Sequence, residues 1–361
     1  MKLIKKIVGL VVLVLGMCMI NVPFAQASEF NFAVTPIIPS TQLDLEKTYF
    51  DLKLDPGQEE KLEVLLRNDT DKKVEIDVSV NSATTNSNVI VEYGENEIEK
   101  DESLEFDLKD YVEYPEALTL QPNSERIIEF KAKMPKEKFD GVLAGGITFK
   151  EIKKEQEKND EKEQGLSIKN EYSYVVALLM RQNENEVAPD LKLKKVEPGQ
   201  INARNVILST IQNDKKTYIN QVAVQAKITK KGDSEVLYKE DKEGLQIAPN
   251  SNFSFPISLK GAALEPGDYH LSMTVYGNKE DEGEFVKEKG TEALRFKNQW
   301  KFEQDFTIDG ETAKELNEKD VSLKKDNTWL YILAGSLLLL LVVLLIIWLV
   351  WRKKKNEEEK V

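Results

Sequence analysis

Cysteine and histidine are almost missing from this chain, which has one of each among 361 residues. A single cysteine cannot form an intramolecular disulfide, and the two residues together cannot complete a four-ligand zinc site. A nucleophilic triad would depend entirely on His270. Because His270 alternates with Leu271 and Met273, the pattern predicts a solvent-facing strand position without a catalytic role. We therefore predict no metal site and no cofactor.

Basic residues are the minority among the charged ones. The chain has 50 Lys and Arg against 63 Asp and Glu, and its formal net charge is −13 at pH 7. A surface of this sign repels nucleic acid, so we predict no nucleic-acid partner. The acidic pair Asp69 and Asp71 lacks the glycine and the distal glutamate of an EF-hand, which favours a hairpin turn over a calcium loop.

The N-terminal apolar run has the pattern of a secretory signal peptide. Three lysines precede residues 7–20, and Ala25-Gln26-Ala27 presents small residues at the spacing that a signal peptidase requires. We predict a signal peptide over residues 1–27. Cys18 lies inside it, so a lipoprotein anchor is the alternative to an ordinary apolar cysteine, although Met17 stands where a small residue is usual.

A second apolar run, at residues 329–351, contains no charged side chain. At about 1.5 Å per residue it would measure about 34 Å, enough to cross a hydrocarbon layer of about 30 Å. Aromatic residues near both ends and the basic residues of the tail 352–361 favour a transmembrane helix with a cytoplasmic C-terminus. The predicted localisation is the cell membrane, single-pass, with the bulk of the chain extracellular on the wall side.

Short alternating segments rich in β-branched and aromatic residues dominate the rest of the chain, and none has a convincing helical period. Strands are predicted at 62–66, 74–80, 127–134, 172–180, 221–228 and 269–275. Gly, Pro, Asn and Asp separate these segments. The pattern predicts an all-β protein built of β-sandwiches rather than α/β layers.

Four sequence landmarks recur in the same order, which predicts two copies of one supersecondary plan. A Pro-Gly-Gln turn, a strand ending in Asn-Asp, a Lys-Lys pair and a Pro-Asn-Ser turn occur within residues 56–124 and again within 198–251. The charged insert at 150–165 is either a mobile excursion between two strands or the true linker between modules. The predicted divisions are a first module at 28–188, a second module at 189–308 and a polar stalk at 309–328.

Exposed aromatic rings are the useful signal for recognition of sugars or proteins. Tyr111 and Tyr114 lie beside Pro115 in a segment with the pattern of a connection, and they are the candidate ligand-binding residues, as a stacking ledge. The alternative is a strand edge that packs on its own sandwich. Trp300 alternates with Phe302 and is expected to pack in the core.

Five ordered segments resemble the WxL-interacting proteins of Gram-positive bacteria. The stretch 189–207 is the most specific of them, and the apolar run and basic tail complete the likeness. The segments are FAVTPIIPSTQ at 32–42, TYFDLKLDPGQ at 48–58, YSYVVAL at 172–178, PDLKLKKVEPGQINARNVI at 189–207 and LQIAPNSNFSFPI at 245–257. The chain has no Trp-x-Leu tripeptide, so it is not itself a WxL protein.

The resemblance implies two tandem immunoglobulin-like β-sandwich domains, the first peptidoglycan-binding and the second host-binding. The implied partners are peptidoglycan, WxL-domain surface proteins and host extracellular proteins. The resulting hypothesis is a non-enzymatic, membrane-anchored extracellular protein that binds and scaffolds. The alternative is a membrane-tethered cell-wall glycan hydrolase that uses paired acidic residues. A signalling receptor is disfavoured because the tail 352–361 has no room for a signalling domain.

Overall fold

The structure is a computed structural model that describes residues 31–152, 172–290, 292–323, 333 and 335–348. The predicted signal peptide at 1–27 and the tail at 352–361 lie outside the described residues. The charged insert also lies outside them from residue 153 onward.

The chain divides into two compact units. Unit 1 contains Met1–Lys192, Gln212–Asn220 and Gln246–Phe253. Unit 2 contains Leu193–Ile211, Gln221–Leu245 and Ser254–Val361. The sequence-based domain limits at 28–188 and 189–308 stay a prediction.

Unit 1 holds two sheets and a two-stranded ribbon. Sheet 1 has the order β1-β3-β9-β7 and sheet 2 the order β2-β11-β10-β4-β8, while β5 and β6 pair only with each other. The strands are β1 (Ala33–Ile37), β2 (Phe50–Lys53), β3 (Glu59–Asn68), β4 (Val74–Ser82), β5 (Thr84–Thr85), β6 (Val91–Glu92), β7 (Val112–Glu113), β8 (Ala117–Leu120), β9 (Ser124–Lys133), β10 (Leu143–Glu151) and β11 (Ser173–Arg181).

The core of unit 1 lies between sheets 1 and 2. Residues at alternate positions of a strand point to the same face, so Leu62, Val64 and Leu66 of β3 all face inward and are fully buried. Phe149 of β10 stands across from them, edge-to-face with Phe130 of β9, with ring centroids 5.9 Å apart. Sheets that share one core in this way form a β-sandwich.

Unit 2 contributes most of two further sheets. Sheet 3 has the order β12-β13-β16 and sheet 4 the order β15-β14-β17-β19-β18. The strands are β12 (Lys192–Ile201), β13 (Arg204–Asn213), β14 (Ile219–Lys230), β15 (Val236–Ile247), β16 (Ser251–Ser258), β17 (Gly267–Lys279), β18 (Phe285–Lys289) and β19 (Glu292–Ile308). Alternation again sets the inner face, where Leu271, Met273 and Val275 are buried.

All six strands predicted from alternation are confirmed. Each predicted segment overlaps one observed strand, namely β3, β4, β9, β11, β14 and β17. The segment at Asp69 and Asp71 is not a hairpin turn, because β3 lies in sheet 1 and β4 in sheet 2. It is a connection that carries the chain from one sheet of the sandwich to the other.

A buried asparagine fixes each of the two repeated turns, and both lie in unit 1. Asn68 is fully buried, and its Nδ2 donates to the carbonyls of Lys72 at 2.8 Å and Gln121 at 2.9 Å. Asn213 is also fully buried and donates to the carbonyls of Thr217 at 2.8 Å and Ala248 at 2.9 Å. One side chain therefore ties a strand end to the distant Pro-Asn-Ser turn in both copies.

The Pro-Asn-Ser turns share a backbone conformation that explains their asparagines. Asn123 and Asn250 both have φ of 47°, in the left-handed region that asparagine tolerates better than most residues. The Ser124 and Ser251 hydroxyls each donate to the carbonyl three residues earlier, at 2.7 and 2.9 Å. The two repeats predicted from the ordered landmarks therefore also form the same hydrogen bonds at their turns.

A helix that the sequence pattern did not predict follows the last strand. Helix α1 (Gly310–Lys319) begins after Asp309, whose Oδ1 accepts from the Thr312 amide at 2.8 Å. Asn317 exchanges hydrogen bonds with the backbone of Leu264 at 2.8 and 2.9 Å, which anchors the helix within unit 2. Only Ala313 of the helix is buried, so it has no apolar stripe that periodicity could detect.

The predicted membrane-spanning helix at 329–351 needs correction. Among the described residues, no helix is long and apolar enough to cross a membrane. The prediction of a single-pass membrane localisation is wrong on this finding.

The buried amides predict a cost for one substitution. Asn68→Ala removes both donated hydrogen bonds and leaves the carbonyls of Lys72 and Gln121 without that partner. We expect the free energy of unfolding of unit 1 to fall by about 1–3 kcal/mol. The measurement is urea denaturation, in which the midpoint of the unfolding transition of unit 1 should move to a lower concentration.

Asn123→Gly is the matched control. Glycine adopts a φ of 47° without strain, so the free energy of unfolding of this variant should stay within about 0.5 kcal/mol of the wild-type value. Equal midpoints for Asn68→Ala and the wild type would show that the buried amide does not hold the turn.

Candidate functional site

The outward face of sheet 1 carries a row of charged side chains. Antiparallel pairing sets Lys61 of β3 opposite Lys131 of β9, and Glu63 opposite Glu129. On the far side of β9, Glu113 of β7 pairs with Lys131. Because partners in an antiparallel pair share a face, these charges lie on one surface.

Cross-strand ion pairs organise this surface. Glu59 accepts from Lys131 and Lys133, each at 2.9 Å, and these hydrogen bonds, from Lys133 first, lower the pKa of Glu59 to about 2. Lys61 lies 2.7 Å from Glu63 and 3.3 Å from Glu129, and hydrogen bonds to these carboxylates raise its pKa. All of these side chains except the half-buried Glu63 are exposed, so each pair adds little stability, but together the pairs restrict the direction of the charged groups.

An open groove of about 640 Å³ lies along this surface. Tyr114 and Pro115, which directly follow β7, line it together with charged residues of β3 and β9, including Glu59, Lys61 and Lys131. The Tyr114 ring is half-buried because it packs against the core of unit 1. The groove thus combines the Tyr114 ring, which is packed against the core, with rows of carboxylates and ammonium groups. These groups are suited to a polar ligand that has apolar patches.

Of the two tyrosines predicted to form a ledge, the structure brings Tyr114 to the groove. Tyr111 ends a short 3₁₀ turn, Leu108–Tyr111, and its ring packs edge-to-face on Phe106, with centroids 5.8 Å apart. Burial is the main cause of a raised pKa for Tyr111. It does not line the groove, and like Tyr114 it packs in part against the core of unit 1.

The charged residues of the groove were missed by sequence reasoning. The alternation of β3 predicts that Glu59 and Lys61 point outward, but this holds for many charged residues in a chain with 113 of them. The groove residues come together because β3 pairs with β9 and β9 pairs with β7. This pairing joins residues that are far apart in sequence. No local signal in the sequence carries that information.

A second cavity, beside Asp101, is too small for a ligand. Its volume is about 50 Å³, room for one or two water molecules. Asp101 accepts from Gln212 at 2.9 Å and from Asn252 at 2.9 Å. Burial alone would raise the pKa of Asp101, but hydrogen bonds from Ser103, Asn252 and Gln212 outweigh it and lower the pKa. This cluster acts as a structural tie within unit 1.

His270 lies on the outer face of sheet 4, as alternation predicted, and it stands between two carboxylates of β19. Its Nδ1 is 2.7 Å from Asp305 and its Nε2 is 2.8 Å from Glu303. Hydrogen bonds to Asp305 first and Glu303 second raise its pKa above the ordinary value of 6.5. Within the described part of the chain, no group of three or more acidic, histidine or cysteine side chains is arranged to hold a metal ion.

Two family descriptions match this chain. Residues 32–151 match "WxL Interacting Protein, peptidoglycan binding domain", and residues 163–318 match "WxL Interacting Protein, host binding domain". The groove lies inside the first match. The two matches identify a protein with a cell-wall binding and scaffolding role. The chain belongs to the WxL-interacting protein family.

The solved structures that resemble the chain do so only distantly, and nothing about this protein is inferred from them. No curated protein matches the chain. Among solved structures, the CsuC-CsuE chaperone and tip subunit complex of Acinetobacter baumannii is 9% identical, covers 63% of this chain and 90% of its own, and has a TM-score of 0.28. The E. coli chaperone DraB is 15% identical, with coverages of 67% and 89% and a TM-score of 0.26. A PapD-like domain of human CEP192 is 10% identical, with coverages of 46% and 97% and a TM-score of 0.27.

The histidine cluster predicts a pH-dependent stability. Because the pKa of His270 is raised on folding, its contribution is fully present below the unfolded pKa of about 6.5 and is lost as pH rises through the folded value. We expect His270→Gln to lower the melting temperature at acidic pH and to leave it nearly unchanged at alkaline pH.

The chain offers a direct check, since His270 is its one histidine and gives a single imidazole resonance set. An NMR titration should show a midpoint above 6.5. Ser272→Ala, which removes a neighbouring hydroxyl that donates to Glu303, is the control and should leave the His270 midpoint above 6.5. A His270 midpoint at or below the ordinary value would contradict the geometry.

Proposed function

We propose that the groove beside Tyr114 is the peptidoglycan-binding site of this protein, and that the chain connects the wall to secreted WxL surface proteins or host proteins. The observation that carries the proposal is the position of the groove within the matched peptidoglycan-binding region. The sequence-based prediction for Tyr114 is kept in this proposal, and Tyr111 enters it as a support for the wall of the groove.

The chemistry of the groove fits a glycan that carries peptides. Sugar rings present apolar C–H faces, which pack on an aromatic ring such as Tyr114, and hydroxyl groups, which donate to carboxylates. The stem peptides of the wall add amino and carboxyl groups, which complement Glu113 and Lys131. Because ion pairs already hold Glu59 and Lys61 in place, binding would order few additional side chains.

The second assignment concerns residues 163–318, which match a host-binding domain. We propose that this region docks protein partners and that both sandwiches are immunoglobulin-like domains with limits near 28–188 and 189–308. The matched description supports a protein ligand. Strand edges in an all-β region can supply main-chain donors and acceptors for such docking.

The hydrolase alternative has less support. A glycosidase needs one carboxylic acid whose pKa is raised so that it can donate a proton. Among the described residues, the carboxyl groups whose pKa departs from its ordinary value are all shifted downward, as for Glu59 in the groove and Asp107 elsewhere in unit 1. A binding role agrees better with carboxylates that stay ionised.

Tyr114→Ala tests the groove. Loss of a central aromatic contact should weaken retention of the full chain on purified peptidoglycan by about tenfold, as for other aromatic residues that dominate an interface. The measurement is a co-sedimentation isotherm with insoluble peptidoglycan. Because Tyr114 is half-buried, circular dichroism must first show an unchanged fold.

Two control variants accompany it. Tyr111→Phe keeps the ring that packs on Phe106 and should bind like the wild type. Tyr238→Ala removes a half-buried ring from β15 of unit 2 and should also leave retention unchanged. Full retention by Tyr114→Ala, or an equal loss in Tyr238→Ala, would exclude the groove as the site.

Protein docking is tested separately. The immobilised full chain should retain purified WxL surface proteins or host matrix proteins, and Tyr114→Ala should not reduce that retention. Capture of neither class would remove the protein-partner assignment while leaving the wall-binding assignment intact.

A further inference from the structure

One strand of sheet 4 has a long free edge. β19 pairs with β17 from residue 296 to residue 308, whereas β18 covers its other side only at residues 292–296. Within the described part of the chain, the outer edge of β19 therefore has no strand partner from residue 298 to residue 308. Such an edge presents main-chain amides and carbonyls that a further strand can satisfy.

The strands that end each sheet are protected in ways that β19 is not. Edge strands β12, β16 and β1 contain Pro198, Pro256 and Pro36, and proline lacks the amide that a ladder requires. Edge strand β15 contains Gly244 at φ of 70°, and its Asp241 and Glu243 bind Lys287 of β18. The remaining edge strands are five residues long or shorter: β2, β5, β6, β7, β8 and β18.

The free stretch of β19 has neither proline nor glycine, and its inner face is aromatic. Trp300 and Phe302 share the face of the buried Phe306, as the sequence predicted, but both are only half-buried. Each would lose further exposed surface if a strand were added beside β19. Apolar area that an additional strand covers favours that addition.

We propose that the free edge of β19 is a self-association site, where β19 of a second copy adds in antiparallel orientation about a two-fold axis through Phe302. In this register Lys301 of each copy faces Glu303 of the other, Gln299 faces Asp305, and Trp300 faces Gln304. Sheet 4 would then continue through the dimer as one ten-stranded sheet. A two-fold interface requires such a self-complementary surface.

Charge selects this register among its neighbours. A shift of the axis to Lys301 or Glu303 places that residue opposite its own copy, so like charges meet. A shift to Trp300 pairs only residues 298–302 within the free stretch, whereas the axis at Phe302 pairs residues 298–306. A shift to Gln304 sets Glu303 against Asp305. Among these axes, the one at Phe302 alone combines opposite charges with pairing over residues 298–306 of the free edge.

The two charged residues are available for this contact. Lys301 is exposed and has no ion-pair partner among the described residues. Glu303 accepts from His270 and from Ser272, each at 2.8 Å, and a carboxylate with about four acceptor sites can accept a further ammonium group. The ion pairs across the axis therefore form without breaking those inside each copy.

Charge reversals in the full chain test the proposal. Lys301→Glu alone and Glu303→Lys alone each create two like-charge contacts in the homodimer and should raise the dimer dissociation constant by about tenfold or more. An equimolar mixture of the two variants restores both opposite pairs, so a heterodimer of wild-type affinity should form. Sedimentation velocity over a concentration series measures these constants.

Lys227→Glu is the matched control, because Lys227 is exposed on the outer face of β14, away from the edge, and carries the same charge change. It should dimerise like the wild type. In a Cys18→Ser background, Phe302→Cys should form an intermolecular disulfide with its own copy, since residues on the axis are nearest neighbours. Lys227→Cys in the same background should not cross-link.

A wild-type chain that sediments as a monomer at all concentrations would overturn the proposal. So would a mixture of Lys301→Glu and Glu303→Lys that associates no better than either variant alone. Absence of the Phe302→Cys disulfide in a dimeric sample would place the interface elsewhere and overturn it as well.

Discussion

Alternation of side chains along long antiparallel strands is the constraint on which both candidate surfaces depend. In β3, Leu62, Val64 and Leu66 are fully buried, which forces Glu59 and Lys61 outward into the groove. A slip of one residue would exchange these two sets and bury the charges, so the core holds the register firmly. The same constraint in β19 sends Lys301 and Glu303 outward and Trp300 inward.

The repeated turns hold this register at the strand ends. Asn68 and Asn213 have no exposed surface, and each uses its amide to close a turn whose other half lies 53 or 35 residues away. Buried polar side chains with complete hydrogen bonding favour a single arrangement, because any alternative leaves a donor unpaired. The strand register that forms the groove is therefore held by core packing and a few buried amides, in a chain whose single cysteine cannot form an intramolecular disulfide.

Much of the fold was predictable from the sequence, because alternation and turn residues are local signals. The six strands and the duplicated turns were found in this way, and the family resemblance was confirmed by both matched regions. Helix α1 was not found, since its single buried residue, Ala313, leaves no periodic signal. The membrane span at 329–351 was predicted from an apolar run, aromatic residues near its ends and a basic tail, whereas no helix among the described residues is long and apolar enough to cross a membrane.

The site was less predictable than the fold. Tyr114 was identified as an exposed aromatic residue, but Tyr111 had the same signal and packs on Phe106 instead. Both rings pack in part against the core of unit 1, and of the two Tyr114 alone lines the groove. The charged groove residues depend on strand pairing between β3, β9 and β7, which composition and spacing do not reveal.

The most direct measurement of the central claim is carboxyl footprinting of the full chain with and without soluble peptidoglycan fragments. Carbodiimide coupling reports the accessibility of each carboxylate, and mass spectrometry assigns it to a residue. If the groove binds the wall, labelling should fall at Glu59, Glu113 and Glu129, which line it, and stay constant at the exposed Glu303 of sheet 4. Unchanged labelling of the three groove carboxylates at saturating ligand would contradict the account.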